Sequence, residues 1–219
     1  MQRSISALVL LLSASTVYAQ AKEHAPVGLP YAHRMSHESG ESWTYVKPAV
    51  DLRKYRTIII EPTALYNGAD AQFDDVTMAD REKYADLITH ELRGEIAKSF
   101  PAVSRPGPDT ARLRITLLGV DTTTGGVATA TRVMPIGFAI NAVKSIAGKP
   151  GRMTGSILYA AELTDGTSNE LQVAAVRRRS PDALDIPATL STSDTVKAVA
   201  RDLAEDLRKK LASAAGRPE

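Results

Sequence analysis

The sequence contains no cysteine. That excludes disulfides, thiolate zinc ligands, thiol nucleophiles and lipid attachment through sulfur. Excess charge is also scarce: 27 Lys and Arg oppose 25 Asp and Glu, a formal +2. Whole-chain electrostatics therefore make no case for a nucleic-acid partner. Beyond the N-terminus no apolar run reaches the roughly 18 residues that a membrane-spanning helix needs. Glycines never fall in a phosphate-cradling pattern, since Gly125-Gly126 lacks the later Gly, Lys and Ser/Thr. Gly155-Ser156 lacks the second glycine of a nucleophile elbow and sits in a predicted strand.

Histidine is rare as well. Of four, only His90 falls inside the predicted domain, on a helix beside Glu91, where a surface role suffices. His33 and His37 stand four apart, a spacing that shares a metal only on a helix, and nothing around them predicts one. The acids Asp74, Asp75, Asp80 and Glu82 gather around a helix start, where the helix dipole accounts for them. No catalytic residue, cofactor or metal is assigned, and the chain is expected not to be an enzyme.

What is present begins with an address. Residues 1–19 read as a secretory signal peptide: Arg3, an apolar run over residues 5–12, and small-residue cleavage patterns after Ala19 or Ala21. Residues 20–43, rich in His, Ser, Pro and Gly, read as a flexible leader. One domain is expected over residues 44–213, with a frayed tail at 214–219.

Within the domain, Ile58-Ile59-Ile60 before Pro62 predicts a strand. Thr77 opens a helix whose stripe is Tyr84, Leu87, Ile88, Leu92 and Ile96, ending at Phe100-Pro101. Gly94 inside it suggests a close packing contact. Residues 112–120 alternate Arg112, Arg114 and Thr116 with Leu113, Ile115 and Leu117, a strand with one buried face. Residues 153–163 and 171–177 predict two more strands around Asp165-Gly166, a hairpin signal. Thr192 or Ser193 caps a last helix with the stripe Val196, Val199, Ala200, Leu203, Leu207 and Leu211.

The expected fold is α+β: an antiparallel or mixed sheet of about four strands, two main helices on one face, and a short apolar connector helix in residues 133–147. That connector either packs on the sheet or touches a membrane or partner through Ile136, Phe138, Ile140 and Val143. Arg177, Arg178 and Arg179 end a strand and are a candidate anion contact.

The residues also resemble a known family. Tyr45-Val46-Lys47-Pro48 precedes Asp51-Leu52-Arg53-Lys54-Tyr55 and Ile60-Glu61-Pro62. Pro106-Gly107-Pro108-Asp109 leads to Leu113-Arg114-Ile115, then Val133-Met134-Pro135-Ile136-Gly137 and Gly148-Lys149-Pro150. Val173-Ala174-Ala175-Val176-Arg177-Arg178 completes the order. From Tyr45 to Leu211 the chain resembles the domain-of-unknown-function 3313 family of bacterial envelope proteins. The resemblance implies secretion, often as an outer-membrane lipoprotein, and no established activity or catalytic residues. Without a lipobox cysteine this chain is expected to be periplasmic and not a lipoprotein.

The functional expectation is a non-enzymatic binding or accessory domain in an envelope assembly, with another envelope protein or itself as partner and no nucleic acid. A membrane-docking or oligomerising role for residues 133–147 is the alternative. A carboxylate-dependent hydrolase is a third reading.

Overall fold

The computed structural model describes residues 25–73, 75–121, 155–181 and 191–217. The signal peptide and the apolar stretch with Ile136, Phe138, Ile140 and Val143 lie outside the described residues.

Seven strands form one mixed sheet: β1 (Ser36–His37), β2 (Trp43–Val46), β3 (Thr57–Ile60), β4 (Ala64–Leu65), β5 (Thr110–Asp121), β6 (Ser156–Asp165) and β7 (Leu171–Arg179). Their order is β1-β2-β7-β6-β5-β3, with β4 also on β5. β3 and β4 run parallel to β5, and the other pairs are antiparallel. The sequence predicts about four strands. The added ones are β1 and β4, two residues each and too short to show a period, and β2, which takes its place by pairing with β7. The predicted strands at 56–61, 112–120, 153–163 and 171–177 correspond to β3, β5, β6 and β7.

Alternation along β5 and β6 divides the core in two. Leu113, Ile115 and Leu117 join Ile157, Tyr159, Ala161 and Leu163 in one apolar cluster with both helices. Leu158, Ala160 and Leu118 face the other way, into a second cluster. A bulge between Leu117 and Gly119, where Leu118 is an extra residue opposite β6, then shifts the phase so that Val120 rejoins the first cluster. Gly119 is required there, since a Cβ would collide with the Gln72 backbone of the adjoining chain.

α1 (Met78–Ile96) and α2 (Thr192–Ala214) cover the first face with the predicted stripes. Thr77 caps α1 by accepting from the Asp80 amide at 3.2 Å. Ser191 caps α2 by accepting from the Asp194 amide at 3.1 Å, one residue before the expected cap. Arg208 of α2 reaches Glu95 of α1 at 2.9 Å and is nearly buried. Gly94 does not mark a close contact: a Cβ there would meet nothing within 4 Å.

The second face is covered by residues expected to be a flexible leader. Ala25, Leu29, Tyr31 and Trp43 are buried against β5, β6 and β7. The Gly28 amide donates to the Tyr66 hydroxyl at 2.8 Å, and that hydroxyl donates to Asp70 at 2.6 Å. Four apolar side chains scattered over nineteen positions leave no periodic signal, yet they complete a sheet that exposes apolar groups on both sides.

Asp165 organises the β6–β7 turn. Its carboxylate accepts from the Thr167 and Ser168 amides at 3.1 and 3.0 Å, from the Tyr55 hydroxyl at 3.0 Å and from Lys54 at 3.0 Å. The Ser168 backbone contact leads in holding its pKa well below the usual aspartate range, against the smaller effect of burial.

Two outcomes follow for stability. Gly94→Ala raises the urea unfolding free energy by about 0.5–1 kcal/mol, since a helix gains a residue with less freedom to lose and no clash. Asp165→Asn lowers it by roughly 1–3 kcal/mol at pH 7. Because the folded pKa is depressed, this contribution is present above the unfolded value near 3.9 and lost as pH falls through the folded value, so wild type and variant converge in acid.

Candidate functional site

Beyond the leader-derived cover, part of the outer face of the sheet has no other segment over it among the described residues. A depression of about 550 Å³ lies there, with Tyr31, His33 and Arg34 on one side and Arg112, Arg114 and Glu162 on its floor. The floor follows from strand alternation: Arg112 and Arg114 are the outward positions of β5, and Glu162 pairs across from Arg114 on β6.

Glu61, just past β3, bridges the two arginines. Arg112 Nη1 meets Glu61 Oε1 at 2.7 Å, and Arg114 Nε meets Glu61 Oε2. Burial pushes the Glu61 carboxyl up, but hydrogen bonds from Arg114 and Arg112 outweigh it and hold its pKa below the ordinary glutamate value. Glu162 behaves oppositely. Burial raises its pKa, and the attraction of Arg114 does not cancel that effect. Two carboxyls around one pair of arginines are thus shifted in opposite directions.

The Tyr31 side chain is 5% exposed. Its hydroxyl is buried beside the Glu162 carboxyl, which acts on it as a hydrogen-bond acceptor although the pair falls short of strict hydrogen-bond geometry. Burial first, and the neighbouring Glu162 second, keep it protonated far above the ordinary phenol value. Arg112 Nε is buried without a partner. Among the described residues only three buried side-chain polar atoms lack a partner in strict hydrogen-bond geometry, and two of them belong to residues lining this pocket.

The candidate anion contact at the end of β7 is not assembled as one site. Alternation sends Arg178 to the opposite face from Arg177 and Arg179, and each of the three meets an acid. Arg177 Nη2 meets Glu38 at 2.9 Å and its Nη1 donates to the Trp43 carbonyl at 2.7 Å. Arg178 is bound by Glu41, by Asp121 at 2.7 Å, by Ser156 at 2.8 Å and by Gln72. Arg179 turns to α2, reaching Asp206 at 3.4 Å and the Asp202 carbonyl at 3.1 Å. These arginines fasten the segment around residues 38–44, the loop before α1, and α2 to the strand end.

His33 lines the pocket, whereas His37 Nε2 contacts the Gly40 carbonyl at 2.7 Å and its ring tilts against Trp43. They do not converge, and no metal-ligating group of three or more residues occurs among the described residues. His90 is exposed on α1. A second depression, about 290 Å³ and more apolar, runs beside α2, with Leu207, Leu211, Val173 and Ala175 among its walls.

The polar floor was readable in part, since the alternation of Arg112 and Arg114 with leucine and isoleucine marks an outward polar face. Glu61 and Tyr31 were not, because they reach the floor from 51 and more positions away in the chain.

Residues 27–207 match the model of the family described as "Protein of unknown function (DUF3313)". The chain belongs to this family. Over 162 residues it is 25% identical to the "Uncharacterized lipoprotein YdcL" of Escherichia coli (strain K12), covering 74% of this chain and 72% of that protein. Among solved structures it is similar to the PelC dodecamer from Paraburkholderia phytofirmans, with 10% identity, a TM-score of 0.37, and coverage of 76% of this chain and 97% of that one. A putative lipoprotein from Caulobacter crescentus CB15 gives 13% identity, a TM-score of 0.35, and coverage of 77% and 96%. The relative's name includes lipoprotein, where the missing cysteine led to the expectation of an unlipidated periplasmic chain. No helix among the described residues is long and apolar enough to cross a membrane.

Glu162→Gln tests the burial of the carboxyl. A carboxyl whose folded pKa is raised loses stability as pH climbs from its unfolded value, near 4.3, through its folded value. Glu162→Gln is therefore more stable than wild type at pH 7–8, and urea denaturation across pH shows the gap closing towards pH 4.

Proposed function

We propose that this DUF3313 protein is a non-enzymatic binding or accessory module of the bacterial envelope. The observation that carries the reading is the outer-face pocket. Its charged groups stand on central strands and are clamped by ion pairs, so they hold a fixed pattern for recognition. Rigid, prepaid geometry of this kind lowers the ordering cost of binding. Its carboxyl–guanidinium pairing is an arrangement for holding a partner group in place.

The envelope assignment draws support from the relative in Escherichia coli named as a lipoprotein and from the secretory signal pattern in the sequence. The proposed partner is another envelope protein or a second copy of this chain.

Crosslinking in intact cells of a Gram-negative host, followed by purification of the full chain, yields a discrete higher-mass adduct if the reading is right. Recovery of monomer alone, at crosslinker levels that capture a known envelope complex, overturns it.

A further inference from the structure

The outer-face pocket holds more positive charge than its own acids meet. Three guanidinium groups reach it: Arg34, Arg112 and Arg114. Arg112 and Arg114 share the single carboxylate of Glu61. Arg34 lies over the Tyr45 ring at 4.1 Å and donates to the Tyr45 hydroxyl. Of the other acids lining it, Glu170 is engaged by Lys47 at 2.6 Å, which leaves Glu162, opposite Arg114 on β6, as the one further carboxyl among three guanidinium groups.

Arg112 Nε is a buried donor without a partner among the described residues, so an acceptor is missing beside it, whereas the Tyr31 hydroxyl has the Glu162 carboxyl as its neighbour. The guanidinium fork matches the oxygens of a carboxylate or a phosphate, and Arg112 and Arg114 are already oriented by Glu61.

We propose that this pocket binds a ligand bearing a compact oxyanion group, a carboxylate or a phosphate, held by Arg112 and Arg114. The inference rests on the reading of the chain as a binding module and adds the chemistry of what it binds. The oxyanion enters on the Arg114 side, the more exposed of the two floor arginines (49% against 24%). Arg112 Nε gains its acceptor as it settles. The arginines at the end of β7 do not compete, because each already meets a carboxylate.

The test is a titration of the ¹⁵N-labelled full chain with succinate and, separately, with inorganic phosphate, following the arginine Nε–Hε resonances. Chloride at matched ionic strength is the control. A saturable shift of the Arg112 signal with at least one anion is expected, and the stronger responder tells carboxylate from phosphate. Arg114→Gln weakens that binding roughly tenfold or more, in line with the loss of a charged hydrogen bond. No shift beyond the chloride control, or wild-type affinity in folded Arg114→Gln, overturns the proposal. A negative titration leaves the envelope adduct unaffected, so the two readings fail separately.

Discussion

A sheet with apolar residues on both faces must be covered twice. Everything else in this structure follows from how the two covers are found. β5 and β6 direct Leu113, Ile115, Ile157 and Leu163 one way and Leu118, Leu158 and Ala160 the other. The first set is met by two amphipathic helices. The second is met by a short irregular segment, residues 25–35, together with Trp43 and Tyr66. Among the described residues this second cover is small and leaves part of the outer face to polar side chains. The charged pocket lies on that part.

The ion pairs serve the same constraint. Arginines on a sheet face are tolerable only with partners, and the partners come from distant chain segments: Glu61 after β3, Glu38 and Glu41 before β2, Asp206 on α2. Each bridge thereby fastens a connecting segment to the central strands. Such pairs add less stability than their number suggests, since desolvation opposes the Coulomb gain. Their effect is positional. They fix which segment lies on which strand, and at Glu61 they fix two guanidinium groups side by side.

Protonation divides along the same lines. Asp165 sits in a nest of donors and is held ionised, while Glu162 sits in a drier place facing a tyrosine and is held towards its neutral form. Both lie on β6, three positions apart. What separates them is solvent and donors, and neither can be read from two acidic letters in a strand.

The sequence by itself determined the regular elements and the family. Periodicity over a dozen or more residues identifies α1 and α2, and strict alternation identifies β5 with its outward Arg112 and Arg114, because those patterns are the direct imprint of one buried face. The ordered string of short motifs placed the chain in its family, as the match over residues 27–207 shows. Tertiary structure alone decided the rest. The seven-strand count needed pairing to make two-residue strands visible. The cover by residues 25–35 needed the sheet to be present before Leu29 and Tyr31 had anything to bury against. The pocket needed Tyr31, Glu61, Arg112 and Glu162 brought from four separate segments to one place. Local pattern records which way a side chain points; only the folded chain decides what it meets there.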